Sequence, residues 1–131
     1  EILRCLVGSE MCIRDSSAYC GAVSAGVGAG AGIAYLKGGR FETIAHTVVN
    51  AIAVTSGIIC DGAKASCAAK IAASVDAGLL GLAMFESGNQ FFGGDGIVKK
   101  GVENTIATVG KLARIGMEQT DKEIIHLMME A

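Results

Sequence analysis

The sequence predicts an all-α fold, and three observations lead to this prediction. None of the 131 residues is proline, and 51% of them are apolar while only 5% are aromatic. Apolar side chains recur mostly at helical spacing and rarely alternate as they do in strands. Glycine and alanine supply much of the apolar content, so helices can approach closely although each residue buries little area. We therefore expect a bundle of buried, Gly/Ala-rich helices that forms part of a larger body.

The residue pattern divides the chain into five helical segments. The clearest is amphipathic, with apolar residues recurring at helical spacing from Phe41 to Ile52. Lys37-Gly38-Gly39 and Ser87-Gly88-Asn89 are predicted to end the helices before them, because glycine favours a helix C-terminus. The other four segments are residues 17–36, 67–86, 98–113 and 120–129.

Residues 1–16 differ from the rest of the chain in the pattern of their charged and apolar residues. Their charges fall without a helical or strand period, and the run from Cys5 to Ser16 looks like translated adaptor sequence. The sequence also begins without methionine. We therefore predict that residues 1–16 are adaptor-derived or non-native and that residues 17–131 form one domain. This division leaves three cysteines to explain, because Cys5 and Cys12 belong to the first segment.

Charge and cysteine content narrow the function classes. A net charge of −2 gives no basic surface, so no nucleic-acid partner is expected. The first residues carry charges instead of the apolar core of a secretory signal, and a cytoplasmic location is predicted. In that setting the five cysteines favour metal-binding or catalytic thiols over a disulfide framework.

Two alternatives arise from the glycine-rich stretch at residues 17–36. Its length would permit a membrane span of about 20 residues. It contains five glycines and little leucine or isoleucine, however, so a buried helix is favoured over a span. Residues 26–31 also fit the dinucleotide pattern G-x-G-x-x-A, but no strand precedes them as that pattern requires. This match is rejected as chance.

The chain is organised around the loop at residues 57–67, which holds two thiols, a carboxylate and an ammonium. A continuous helix would separate Cys60 from Cys67 by about 10 Å, too far for one small metal centre. Gly62 breaks the helix and allows the loop to bring both sulfurs to a common point. Ser66 is the predicted N-cap of the next helix, which would place Cys67 at the first helical position.

Cys20 can join Cys60 and Cys67 from the glycine-rich helix, whose small side chains permit close approach. Three thiolates without a fourth cysteine suit an iron–sulfur cluster with one iron left open. Zinc is the competing metal, but neither His46 nor His126 has ligand-like spacing to the cysteine pair. His46 is instead expected to be solvated or to lie at the edge of the core. Spacing alone also leaves open that the cysteines are structural, buried residues.

Five short motifs occur in order between residue 17 and the C-terminus: Cys20-Gly21, residues 59–64 (ICDGAK), residues 96–98 (GIV), Gly116-Met117 and residues 120–122 (TDK). Together they resemble the serine dehydratase-like alpha-chain family, and within it the L-cysteine desulfidases and their relatives. The intervals of 40 and 7 residues between the three cysteines look like those of the desulfidase cluster ligands. Several relatives have Cys-Gly-Cys where this chain has Cys20-Gly21-Ala22.

The resemblance implies an oxygen-sensitive lyase that holds a [4Fe–4S] cluster through Cys20, Cys60 and Cys67. The open iron would bind the carboxylate of a small amino-acid substrate. A base would remove the α-proton, after which sulfide or water leaves and the product hydrolyses to pyruvate and ammonia. L-Cysteine and L-serine are the two substrates that this chemistry implies.

Three further residues have roles implied by the same resemblance. Lys64 would contact the carboxylate of the substrate or transfer a proton, and Asp61 would orient Lys64 or the amine of the substrate. Asn50 is expected to make a weaker substrate contact. The alternative for Asp61 and Lys64 is an ion pair within the loop, which would contribute about 0–1 kcal/mol if exposed.

Family members are considerably longer, so the resemblance identifies this chain as a C-terminal fragment. Its expected partner is the missing N-terminal part of the same chain, without which we predict no activity. A homodimer is compatible with this assignment, and no membrane partner is expected. Two other classes remain open: a cofactor-free helical module with a structural or interaction role, and a membrane hairpin formed by residues 17–36 and 66–85.

Overall fold

The computed structural model describes residues 18–62 and 65–130, and its helices confirm the predicted all-α class. Within these residues the strand-like pairing is limited to one isolated β-bridge. The predicted boundary between residues 1–16 and 17–131 lies outside the described residues. A π-helical turn, Leu112–Gly116, joins the last two helices. In chain order the helices are α1 (Gly21–Leu36), α2 (Phe41–Thr55), α3 (Ser66–Glu86), α4 (Val102–Lys111) and α5 (Glu118–Met129).

Helices α1 and α3 cross at glycines, so their backbones touch. A Cβ atom added to Gly30 would lie 2.6 Å from the Cα atom of Gly78, closer than real Cβ contacts. One turn earlier, Ser74 of α3 lies against Gly26 of α1. Helix α2 completes the core, because it packs against both α1 and α3. Because glycine has no side chain, α1 and α3 can lie at this short distance from each other.

Glycines in the left-handed region end α1 and α3 where the sequence predicts it. Gly38 has a φ of +83°, and its N–H donates to the Tyr35 carbonyl at 2.9 Å. Gly88 has a φ of +78°, and its N–H donates to the Phe85 carbonyl at 2.9 Å. A side chain at either position would be strained, so these two residues fix the helix ends.

Two helix starts differ from the predicted ones. Helix α4 begins at Val102 rather than Val98, because Gly101 takes a φ of +89° and interrupts the helical backbone. Val98 is nevertheless 1% exposed, so its apolar character reflects burial in the preceding loop. Helix α5 begins at Glu118 rather than Thr120, because the π-helical turn leads almost directly into it.

Among the residues that the structure describes, helix α3 is covered mainly on one side. Its buried residues face α1 and α2, whereas Ile71, Leu79 and Leu80 are 50%, 43% and 49% exposed. Asp76 is the only charged residue from position 71 to position 85. By length and composition α3 is the one helix of the described residues that could cross a membrane, and α1 is shorter than that limit. The outer face of α3 is thus far more apolar than a solvent-facing helix surface normally is.

Candidate thiol site

An isolated β-bridge brings Cys20 and Cys60 together. It pairs Tyr19, which precedes α1, with Ile59 in the loop that follows α2. The backbone N–H groups of Cys20 and Cys60 donate its two hydrogen bonds, at 3.3 and 2.6 Å. Because side chains alternate along paired segments, both cysteines lie on the face opposite Tyr19 and Ile59, at diagonal positions that are typically about 7–8 Å apart. Two of the three predicted ligands therefore share one side of the bridge.

This pair of thiols lies in an apolar part of the core. Cys20 is 2% exposed and Cys60 is 9% exposed, and neither forms a disulfide. The buried side chains around them come from α1, α2 and α4, so the segments that carry the two thiols are supported by three helices. These side chains are Val23, Val27, Ala51, Ile52 and Val109.

Cys67 approaches from the first turn of α3. The contacts of Gly26 with Ser74 and of Gly30 with Gly78 share one register along α1 and α3. Helices α1 and α3 therefore run in the same direction and begin at the same end of the bundle, where Cys20 precedes α1 and Cys67 lies in the first turn of α3. We call this end of the bundle, with Cys20, Cys60 and Cys67, the thiol site.

The thiol of Cys67 is half-buried and donates to the Gly62 carbonyl at 3.2 Å. Gly62 has a φ of +86°, which breaks the helix as predicted. The predicted N-cap is wrong by one residue, because Ala65 already has helical dihedral angles and α3 starts at Ser66. No side chain caps the helix, and Cys67 is its second residue.

Lys70, a residue of α3, connects that helix to the loop at residues 57–67. Its ammonium donates to the Ile59 carbonyl at 3.0 Å and forms an ion pair with the Asp61 carboxylate. The hydrogen bond with Asp61 raises the pKa of Lys70, burial opposes this rise, and the Cys20 and Cys67 sulfurs add a smaller upward contribution. The same hydrogen bond lowers the pKa of Asp61. The site therefore contains a cation that is held by the backbone and by a carboxylate of the loop.

Sequence reasoning missed Lys70 and considered only Lys64 as the partner of Asp61. Lys64 lies outside the described residues, so its predicted role stays a prediction. A signal for Lys70 was present, because it is the only cation between positions 65 and 98 and stands three residues after Cys67 on a helix. Residues at that spacing share a helix face, which would have placed its ammonium beside the loop.

Asn50 is enclosed by the protein. Its side chain is 0% exposed, its amide NH₂ donates to the Gly81 carbonyl at 3.1 Å, and its oxygen accepts from the Phe91 N–H at 3.0 Å. These bonds connect α2 to α3 and to the loop that precedes α4. The predicted substrate contact of Asn50 stays a prediction, while its structural role follows directly from these partners.

We expect Asn50→Ala to lower the free energy of unfolding by about 2 kcal/mol, because the substitution removes both hydrogen bonds and leaves the Phe91 N–H without this acceptor. Asn104 provides a matched control, since its one side-chain hydrogen bond, to the Lys100 carbonyl at 2.9 Å, is exposed. Asn104→Ala should change the same quantity by less than about 0.5 kcal/mol. Urea unfolding curves measure both variants, and equal losses would contradict the structural role of Asn50.

The three thiols of the site have the chemistry of iron–sulfur cluster ligands. In the described part of the chain, no three His, Cys, Asp or Glu side chains meet closely enough to hold one metal ion. A cluster has different needs, because its thiolate ligands bind separate irons. Cys20 and Cys60 fit such a cluster in kind, and both are buried in the same apolar cluster of the core. Cys67 fits in kind, and it must exchange its hydrogen bond to Gly62 for a bond to iron.

A cleft of about 470 Å³ opens near the other end of α2. Its mainly apolar lining includes Phe41, Phe91 and Phe92, and none of the three thiols contributes to it. His46 also lines this cleft and stacks on Phe85 with ring centroids 5.2 Å apart. The imidazole therefore lies at the edge of the core, as predicted, and the cleft is separate from the thiol site.

The fold and the site together define an all-helical protein built around a buried thiol site. The chain belongs to the serine dehydratase alpha chain family, whose family model matches residues 9–126. The resemblance of the sequence motifs to that family is thereby confirmed. No solved structure matches the chain.

Three curated relatives illustrate the relationship. A UPF0597 protein of Desulfitobacterium hafniense (strain Y51) is 65% identical over 113 residues, which cover 86% of this chain and 26% of the relative. A UPF0597 protein of Lachnoclostridium phytofermentans is 49% identical over 136 positions, covering 98% of this chain and 33% of the relative. A UPF0597 protein of Treponema denticola is 45% identical over 137 positions, with 99% and 32% covered. The chain thus spans about a quarter to a third of the length of these relatives.

Proposed function

We propose that this chain is part of an iron–sulfur-dependent lyase that eliminates sulfide from L-cysteine or water from L-serine. Membership of the serine dehydratase alpha chain family supports the reaction class. The cofactor is supported by the bridge, which joins the segments that carry Cys20 and Cys60, and by the burial of both thiols in one apolar cluster of the core. Cys67 is proposed as the third thiol, because α1 and α3 run in the same direction and begin at the same end of the bundle.

Cys20, Cys60 and Cys67 would hold the proposed [4Fe–4S] cluster. When bound, such a cluster supplies a Lewis-acidic iron for the carboxylate and the departing group of the substrate. The buried apolar side chains beside Cys20 and Cys60 exclude water from this side of the site, which strengthens electrostatic interactions there. In the proposed elimination a base takes the α-proton, sulfide or water leaves the β-carbon, and the enamine hydrolyses to pyruvate and ammonia.

The loop at residues 57–67 provides polar side chains that are proposed to contact the substrate. Asp61 is proposed to orient Lys64 or the amine of the substrate, and its carboxylate forms an ion pair with Lys70. Lys64 is proposed to contact the carboxylate of the substrate or to transfer a proton. Both amide functions of Asn50 are occupied within the protein, so a substrate contact by Asn50 would require these bonds to open.

We further propose that the rest of the active site comes from the remaining, N-terminal part of the full-length protein. The curated relatives are three to four times as long as the segment that they share with this chain. The outer face of α3 suits such a partner, because Ile71, Leu79 and Leu80 form an exposed apolar surface on a helix with few charges. Helices that are apolar on all sides are normally buried. A cytoplasmic location and a homodimer belong to the same proposal.

A graft tests this function. Residues 18–130 would replace the matching segment of the Desulfitobacterium hafniense relative, and the graft, the unmodified relative and this chain alone would be reconstituted anaerobically with iron and sulfide. We expect the graft and the relative to form pyruvate from L-cysteine or L-serine, and this chain alone to form none. Turnover by this chain alone would contradict the fragment assignment. Folded, iron-loaded graft and relative that release no pyruvate would contradict the lyase.

A membrane location of α3 is the competing explanation of its apolar outer face, and the length and composition of the helix would permit it. Fractionation of cells that express the graft separates the two explanations. We expect the graft in the soluble fraction without detergent. Recovery from the membrane fraction alone would show that lipid, rather than the N-terminal part of the protein, covers α3.

A further inference from the structure

Lys70 contacts both chain neighbours of Cys60. Its ammonium donates a hydrogen bond to the Ile59 carbonyl at 3.0 Å and forms an ion pair with the Asp61 carboxylate. The Lys70 side chain is only 20% exposed, and that of Asp61 is 45% exposed. Because an ammonium carries three N–H donors, one side chain can hold the loop on both sides of the cysteine.

The position of Lys70 on α3 links this contact to the other thiols. Lys70 follows Cys67 by three residues, so both side chains leave the same face of the helix. The thiol of Cys67 is itself bonded to the Gly62 carbonyl, which makes a second connection between the first turns of α3 and the loop. On its other side Cys60 is fixed by the hydrogen bond from its N–H across the bridge.

We propose that Lys70 is the positioning residue of the thiol site: by holding the Ile59 carbonyl and the Asp61 carboxylate, it fixes Cys60 in place relative to Cys67. The importance of this placement for a cofactor rests on the proposed function. The placement itself is a property of the metal-free chain. The two contacts that flank Cys60 are what identify Lys70 as the positioning residue.

The test is the rate at which iodoacetamide alkylates Cys60 in the reduced, metal-free chain, followed by mass spectrometry of the peptides. In Lys70→Met the stem of the side chain remains but its donors are lost, and we expect the Cys60 rate to rise about tenfold, because hydrogen bonds to charged groups are among the stronger ones. Lys70→Arg keeps the charge and the donors, so it should restore the rate to within about threefold of the wild type.

Lys122→Met is the matched control, because Lys122 forms an exposed ion pair with Glu118 at 2.7 Å in α5. It should leave the Cys60 rate unchanged. Asp61→Asn is a second variant in case Lys70→Met fails to fold. It removes the same ion pair by changing the more exposed partner, and we expect the Cys60 alkylation rate to rise about threefold. Unchanged Cys60 rates in both Lys70→Met and Asp61→Asn would overturn the proposal, as would an equal rise in Lys122→Met.

Iron content after anaerobic reconstitution separates this proposal from the proposed function. A wild-type chain that binds no iron, combined with faster alkylation of Cys60 in Lys70→Met, would contradict the cluster and support the positioning role. A wild-type chain that binds iron, combined with wild-type alkylation and iron content in Lys70→Met, would support the cluster and overturn the role of Lys70.

Discussion

Replacing Gly30 by alanine is expected to lower the free energy of unfolding by about 2 kcal/mol, within the range for overpacking a tight contact. The added Cβ atom would lie 2.6 Å from the Cα atom and 2.9 Å from the carbonyl carbon of Gly78 on α3. These are backbone atoms, so no change of rotamer relieves the overlap and the two helices must move apart. The higher helix propensity of alanine, about 0.5–1 kcal/mol, offsets only part of this cost.

Gly28 provides a control on the same helix. It is exposed, and a Cβ atom added there meets nothing within 4 Å. Gly28→Ala should therefore raise the free energy of unfolding by about 0.5–1 kcal/mol through helix propensity alone. Denaturant unfolding followed by circular dichroism measures both variants. A stabilising effect of Gly30→Ala, equal to that of Gly28→Ala, would show that α1 and α3 do not touch at this point.

The crossing of α1 and α3 also relates to function, because both helices begin at the thiol site. Cys20 precedes the first residue of α1, and Cys67 is the second residue of α3. Separation of these helices at Gly30 would change the spacing between the two thiols. The small residues of the crossing are therefore part of the support of the site as well as of the core.

Cys60→Ser is expected to abolish the visible absorbance that the chain gains when it is reconstituted anaerobically with iron and sulfide. A serine hydroxyl does not replace a soft thiolate ligand. Cys60 also has the central position in the site, since the bridge holds it beside Cys20 and the loop connects it to Cys67. Loss of this one ligand should therefore remove the whole chromophore rather than a third of it.

Cys12→Ser is the control for this substitution, because Cys12 belongs to the segment that is predicted to be non-native. Spectra recorded at equal protein concentration should show full absorbance for Cys12→Ser and none for Cys60→Ser. Thermal unfolding of the metal-free proteins checks that Cys60→Ser still folds. Full absorbance in a folded Cys60→Ser protein would contradict the assignment of Cys60 as a ligand.

Local features of the fold could be predicted from the sequence. The amphipathic helix from Phe41 follows from the spacing of its apolar residues, and α2 begins at that residue. The ends of α1 and α3 follow from Gly38 and Gly88, because a positive φ is a property of single residues. The break at Gly62 has the same basis. Each of these features depends on residues that are close together in the chain, so it can be recognised in a single sequence.

The contacts that build the site could not be predicted in this way. The bridge between Tyr19 and Ile59 joins segments that lie 40 positions apart, and a single pair of residues has no periodicity. The ion pair of Asp61 with Lys70 depends on how the loop folds back along α3. The burial of Asn50 likewise depends on the packing of three separate segments. Family resemblance pointed to the thiols, while the structure identified the residues that hold them.

The iron content of the anaerobically reconstituted, desalted chain tests the central claim most directly. Three thiols that serve one [4Fe–4S] cluster should retain about four irons per chain together with inorganic sulfide. A colourless chain that retains less than about one iron per molecule would contradict the claim that Cys20, Cys60 and Cys67 form a cluster site.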